Sequence, residues 1–262
     1  MDKSSTNIEF FNKNGYVYYP SFFSFESKKL INILNQIFKL NKTITNEKYG
    51  FIDGVTFNEN LWNLIVNEKL LKKISLILGN DFKYIRHSDL HINYKGGLIH
   101  RDSSNRYMYE QDNWNSKDAN YKILRVAIYL TDYKETESSI IIFPGSHIKE
   151  NKFLRFRVNL YNFIKSKLRK LKIDNFLPVN ILFKNYVNIK NFKGDLVIFD
   201  QRILHCGGNS LFKNKPKYSI FLGYGARNIH TEKHEEYYSK RKGYDKKIPN
   251  NLKQLLNSKK LI

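Results

Sequence analysis

The hydrophobic period of this chain changes near Phe82, and that change limits the fold more than any other feature. Before it, apolar residues recur at helical spacing: Leu30, Ile33, Leu34, Ile37 and Phe38, then Leu61, Leu64, Ile65, Leu70, Leu71, Ile74 and Ile77. Ser24 is placed to cap the first of these helices, which runs to about Leu40. The second covers about 59–78, with Gly79 as its stop. A shorter helix ends near Gly15, ahead of a strand Tyr16–Tyr19. After Phe82 the segments are short and read as strands: Tyr84–Tyr94, Ile123–Leu130, Ser139–Phe143, Tyr186–Ile189, Asp195–Phe199 and Tyr218–Tyr224. Helices followed by many short strands predict a mainly β fold, a jelly roll with the N-terminal helices packed on one face.

The 262 residues suit one domain spanning 1–262, with two insertion-like stretches. Residues 103–121 are polar but rich in aromatics (Tyr107, Tyr109, Trp114, beside Arg106) and read either as a lid over substrate or as a loop packed on the barrel rim. Residues 149–172 are basic, with Phe153, Phe156, Leu160, Phe163, Ile164, Leu168 and Leu171 near helical spacing. Such a helix ordinarily buries its apolar stripe on its own domain and solvates its lysines; the alternatives are an anionic membrane or an acidic polymer. The chain from about 231 is charged and helical in part.

The formal net charge of +21 invites a polyanionic partner. Abundant lysine beside asparagine, isoleucine, tyrosine and phenylalanine is also what an AT-rich genome produces, and the basic residues are scattered, so nucleic acid is not the expected partner. The single cysteine, Cys206, excludes an internal disulfide and makes a thiolate zinc site a poor reading. It fits a reducing cytoplasm. The N-terminus lacks the apolar core of a signal peptide, and no apolar run approaches the roughly 18–20 residues that span a bilayer.

Two segments carry chemistry. One is Gly96-Gly97-Leu98-Ile99-His100-Arg101-Asp102; the other runs from Gly194-Asp195 through Leu204-His205. Together they supply two imidazoles and a carboxylate, the set that holds non-heme Fe(II) while leaving positions open for oxygen and a co-substrate. A His-x-Asp pair on a strand puts both side chains on one side, and the third ligand must come from a distant strand alongside. His205 follows the apolar run Leu196–Phe199, where a buried strand would end. The pattern alone is weak: His87-Ser88-Asp89 is a second copy.

Context strengthens the first copy. Phe11-Asn12-Lys13-Asn14-Gly15-Tyr16-Val17, Ile92-Asn93-Tyr94-Lys95, His100-Arg101-Asp102, Arg125 through Asp132, Ile140 through His147 with its Pro-Gly-Ser-His turn, and Gly194 through His205 followed by Gly208-Asn209-Ser210 resemble, in order, the phytanoyl-CoA dioxygenase family, which includes ectoine hydroxylase-like enzymes. The resemblance runs over nearly the whole chain. It implies a cupin-like double-stranded β-helix, Fe(II) held by His100, Asp102 and His205, and O2 with 2-oxoglutarate as co-substrates, the latter yielding succinate and carbon dioxide. Because Asp102 is present, it implies a hydroxylase of a small molecule rather than a halogenase, whose carboxylate is replaced by a small residue.

One position departs from the family: Lys217 stands where an arginine usually pairs with the far carboxylate of 2-oxoglutarate. Lysine offers a point charge in place of a bidentate fork. Lys217 is therefore the expected anchor, its alternative being a solvated lysine beside Lys213 and Lys215. His87, Asp89, His91 and Asn93 alternate and so share a strand face. Family register turns Asp89 and His91 toward the cavity as substrate contacts, with Trp114 from the insertion. Arg125 meets a carboxylate or snorkels at its strand end. His147 reads as a turn residue capping the preceding backbone, His230 and His234 as surface groups, and Cys206 as a small buried residue turned away from the metal. Two other readings remain: an oxygenase of the same metal chemistry acting on nucleic acid, and a jelly roll that binds without catalysis.

Overall fold

The computed structural model describes residues 3–40, 48–94, 96–102, 120–148, 152–171, 173, 177–208, 216–240 and 246–262. Helix α1 (Lys3–Asn14) passes into β1 (Tyr16–Tyr19) through Gly15 at φ +80, as expected. A Cβ there would lie 2.5 Å from His147 Nδ1, so only glycine fits. Helix α2 spans Ser27–Ile37 and is not capped by Ser24, whose hydroxyl donates to the Ser21 carbonyl. The cause is a tertiary tether. Phe23 is buried and its N–H donates to Gly194 O, which holds 23–24 in a turn and delays the helix.

The expected 59–78 helix is broken. One helical turn leads into α3 (Trp62–Ile65), and α4 (Glu68–Leu78) starts afresh at Asn67, whose side chain accepts from Leu70 N. The apolar period survives the break because Leu61, Leu64, Ile65, Leu70 and Ile74 are buried on both sides of it. Gly79, at φ +86, ends α4.

The strands are β2 (Tyr49–Phe51), β3 (Phe82–Ile85), β4 (Leu90–Ile92), β5 (Ile123–Tyr129), β6 (Ser139–Ile142), β7 (Val187–Lys190), β8 (Asp195–Asp200), β9 (His205–Gly207) and β10 (Tyr218–Ala226). The short helix α5 (Tyr133–Thr136) precedes β6, and α6 (Lys152–Lys170) follows it. Helices α7 (Ile229–Ser239) and α8 (Asn250–Ser258) end the chain. The expected strand Tyr84–Tyr94 is two strands, both antiparallel to β10. Between them Arg86 and Ser88 leave the ladder to bond the buried Asp53 carboxylate at 2.7 and 2.9 Å.

Among the described residues, one sheet runs β1-β8-β5-β10-β4-β2 with β3 also on β10, and a second runs β7-β6-β9. This antiparallel two-sheet arrangement with flanking helices is the expected jelly roll. Alternation divides the large sheet. Leu124, Val126 and Ile128 of β5, Ile220 and Leu222 of β10, and Leu196 and Ile198 of β8 pack against Leu30, Leu34, Leu61, Leu70, Ile74 and Leu252 of the helical layer. Each such side chain contributes on the order of 1.5–3 kcal/mol by leaving water. Ala127, Tyr129, Val197 and Phe199 turn the other way, toward Ile140, Ile142 and Ile189 of the second sheet. Burial on both faces is why β5 and β8 read as continuous apolar runs.

Helix α6 occupies the expected basic stretch but does not bury the expected stripe. Val158, Tyr161 and Lys165 face inward, while Phe153, Phe156, Phe163 and Leu171 are exposed. The inward face is set by the partners waiting there, Ile99, Ile141, Phe143 and Cys206, and not by which face carries more apolar residues. Among the described residues, no helix is long and apolar enough to cross a membrane.

Candidate metal centre

His100 and Asp102 lie on an extended segment that runs antiparallel to the start of β9. His100 N donates to His205 O and His205 N to His100 O, both at 2.9 Å, and Asp102 N donates to Gln201 O. One bridge therefore places the His-x-Asp pair beside the distal histidine. One ligand atom from each of the three side chains lies within 4.8 Å of the others. His100 Nε2 is 3.5 Å from Asp102 Oδ1, and His205 Nε2 is 3.7 Å from Asp102 Oδ2.

The second coordination layer sets the tautomers. His100 Nδ1 is 2.8 Å from Leu98 O and His205 Nδ1 is 3.1 Å from Ile203 O. A carbonyl only accepts, so each Nδ1 carries a proton and each ring turns its Nε2 toward the centre. Burial, reinforced by His100, lowers His205 to about 4, so its imidazole is neutral at neutral pH. Burial opposes ionisation of Asp102, but the neighbouring His205, His100 and Arg125 hold its carboxyl well below the usual range. A neutral imidazole and a carboxylate are the protonation states a divalent metal requires.

The second His-x-Asp copy does not make a comparable group. His87 lies 3.8 Å from Asp89, but among the described residues no third ligand joins them, and Arg125 takes the Asp89 carboxylate. Arg125 is buried rather than snorkelling. It bonds Asp89 and His87 O, and its Nε is 3.5 Å from Asp102 Oδ2. A guanidinium between two carboxylates stays charged, and Asp89 is held down at about 2: burial opposes its ionisation, and Arg125 outweighs it.

A cavity of about 380 Å³ opens on the three ligands. The large sheet lines it with every second residue: Arg125 and Tyr129 of β5, His91 of β4, Ser219 and Phe221 of β10, with Lys217 just before β10. Asp89, His91, Arg125 and Lys217 thus line the cavity. Asn93 does not follow its alternation. It takes φ +59, and its side chain accepts from Lys217 N while its own N–H donates to Lys217 O. Burial lowers His91 to about 4, and its ring stacks on Tyr94 at 3.8 Å. Trp114, with Arg106, Tyr107 and Tyr109, falls outside the described residues.

Other expectations need correction. His230 and His234 are buried, because α7 lies over the cavity end: His234 packs on Tyr238 at 4.4 Å and Tyr238 on His87 at 4.1 Å. His147 caps nothing local; its ring is buried and bonds the Asn12 carbonyl in the last turn of α1. Cys206 is buried as expected, and burial pushes its thiol up to about 12.

Sequence reasoning missed several residues, Phe221 and Tyr94 of the cavity wall among them. Ser219 and Tyr129 were legible by counting in twos from Lys217 and Arg125. Tyr238, which lines the cavity and donates to Asp102 O, sits on a helix with no apolar period. Asn162 of α6 clamps the backbone next to a ligand: Ile99 N donates to its Oδ1 and its Nδ2 donates to Ile99 O, both at 2.8 Å.

No family model matches the sequence, and no curated protein does. Solved structures do match. HygX from Streptomyces hygroscopicus, with nickel and 2-oxoglutarate bound, superposes with a TM-score of 0.63 at 15% identity, over 87% of this chain and 88% of that one. The fold is shared. The non-heme α-ketoglutarate-dependent epimerase SnoN of nogalamycin biosynthesis matches at 0.59 and 12%, over 85% and 80%. The carbocyclase SnoK of the same biosynthesis matches at 0.54 and 14%, over 86% and 84%. A further HygX structure also holds hygromycin B. SnoN and SnoK are named as non-heme, α-ketoglutarate-dependent enzymes and HygX binds 2-oxoglutarate, and at such identities the likeness establishes the jelly roll.

Proposed function

We propose that this protein is an Fe(II)- and 2-oxoglutarate-dependent dioxygenase that hydroxylates a C–H bond of a small molecule. One observation carries the reading: two imidazoles with their Nε2 atoms turned inward and one carboxylate converge within 4.8 Å at the wall of a cavity, on a fold shared with enzymes of that chemistry. Iron bound there with 2-oxoglutarate and O2 would supply the oxidising power, coupled to loss of carbon dioxide and formation of succinate.

His100, Asp102 and His205 are the residues that would hold the metal. Lys217 and Ser219 face the cavity from one side of β10, an ammonium and a hydroxyl two residues apart, and suit the far carboxylate of 2-oxoglutarate. Arg125 neutralises Asp89 and steadies Asp102 from behind. Asp89, His91 and Tyr94 give the rest of the cavity polar contacts for a substrate, and Phe221 and Tyr238 narrow its access to water. Trp114 is proposed as a further substrate contact from the 103–121 stretch. A small molecule suits the 380 Å³ volume, and HygX binding hygromycin B supports that class.

The test is succinate formation from 2-oxoglutarate under air with Fe(II) and ascorbate, with 18O2 and product analysis once a substrate is found. His100→Ala is expected to abolish succinate. Lys217→Ala is expected to raise the 2-oxoglutarate requirement about 10- to 100-fold, the loss of one charge-assisted contact, and Lys217→Arg to restore it. Absence of succinate together with absence of Fe(II) and 2-oxoglutarate binding would sink the reading. A product without labelled oxygen would move the chemistry to epimerisation or ring closure, the activities named for SnoN and SnoK.

A further inference from the structure

Helix α6 has two faces. Its inner face, with Val158, Tyr161 and Asn162, packs on the segment that carries His100. Its outer face carries Phe153, Phe156, Leu160, Phe163 and, one turn past Lys167, Leu171, spaced by threes and fours. Phe153, Phe156, Phe163 and Leu171 are 61%, 62%, 62% and 68% exposed. Placed in water, that row is unlike the single apolar residues scattered over ordinary surfaces. It runs about 27 Å at the helical rise of about 1.5 Å per residue.

The charge around the row has one sign. Lys152, Arg157, Lys167 and Lys170 lie on or beside it, and residues 151–173 contain no Asp or Glu. The Arg157 guanidinium sits 4.1 Å from the Phe153 ring centre and the Lys167 ammonium 5.4 Å from that of Phe163, so cations border the rings themselves. An apolar stripe flanked by cations, on a helix too polar to span a bilayer, is the pattern of a helix lying in a lipid–water interface.

Charge decides among occupants. A second copy of this chain would bring two strongly cationic helices face to face. A nucleic acid would satisfy the cations and stack on the phenylalanines, but would leave Leu160 and Leu171 in water. An anionic bilayer satisfies both halves of the pattern: headgroups meet the lysines and arginines, and the acyl boundary takes the phenylalanines and leucines. We propose that the outer face of α6 docks this protein on anionic membrane surfaces. The same helix is tied to the cavity rim: Arg169, near the end of α6, donates to Gly96 O, and the adjoining Gly97 lines the cavity.

The experiment is co-sedimentation of the full chain with vesicles of phosphatidylglycerol and phosphatidylcholine, against phosphatidylcholine alone. Binding is expected to the anionic vesicles, to weaken with salt, and to fall at least about tenfold in Phe153→Ser/Phe156→Ser/Phe163→Ser, which withdraws three rings from the lipid. Lys152→Gln/Lys167→Gln/Lys170→Gln is expected to weaken it as well. If the triple serine variant fails to fold, Phe163→Cys carrying an environment-sensitive dye replaces it; buried Cys206 does not compete for label, and a blue shift on anionic vesicles is the expected signal. Absence of anionic-vesicle binding, or binding unchanged in both variants, overturns the proposal. So does a serine-sensitive dimer in sedimentation equilibrium without vesicle binding, or serine-sensitive binding to an oligonucleotide alone.

Discussion

Removing the Asn162 side chain tests whether α6 helps hold the metal ligands. Its amide makes two 2.8 Å hydrogen bonds to Ile99, one residue before His100. Each is worth about 1 kcal/mol net, and a backbone group left without a partner in a partly buried place costs about 1–3 kcal/mol. Asn162→Leu, which keeps the volume and loses both bonds, is therefore expected to destabilise the metal-free protein by about 2–4 kcal/mol in urea unfolding. The Ile99–Asp102 segment is otherwise held by the His100–His205 pair and the Asp102–Gln201 bond, so part of the loss falls on the ligand geometry. Calorimetric titration with Co(II) or Ni(II) is expected to show affinity reduced about 10- to 100-fold, the usual consequence of losing a group that orients a ligand. Wild-type stability would refute the clamp. Lost stability with unchanged metal affinity would refute its link to the ligands.

Two further outcomes follow from burial. His91 and His205 both sit near 4 when folded, against about 6.5 unfolded, so between those values the unfolded chain binds more protons and stability falls as pH falls. Metal-free protein is expected to lose roughly 2 kcal/mol per histidine between pH 7 and 5 in urea unfolding, and a flat profile would refute their burial as neutral rings. Cys206, with its thiol pushed up to about 12, is expected to ignore disulfide reagents at pH 8 and to react as one thiol per chain once denatured; reaction of the native protein would contradict its place in the core.

The parts of the fold that were legible are those encoded over short distances. The strands β5, β8 and β10 and the stop at Gly79 follow from period and turn chemistry, which neighbouring residues carry among themselves. The His100–Asp102 pair was legible for the same reason, since alternation alone places both side chains on one side. The break at Asn67 and the late start of α2 were not, because each is decided by a competing contact: a cap that restarts the helix, and the bond from Phe23 to Gly194.

By itself, the sequence determined the helix-then-strand order, the jelly-roll class, and the residue types of the candidate metal centre. The tertiary structure decided which residues meet. It set His205 beside His100 through a backbone bridge spanning a hundred residues, and laid α7 over the cavity so that His230 and His234 became buried. It also turned the phenylalanines of α6 outward. The physical reason is common to all three. A local pattern says that a helix or strand has an apolar face, but which face is covered depends on the surface packed against it, and that surface comes from distant chain.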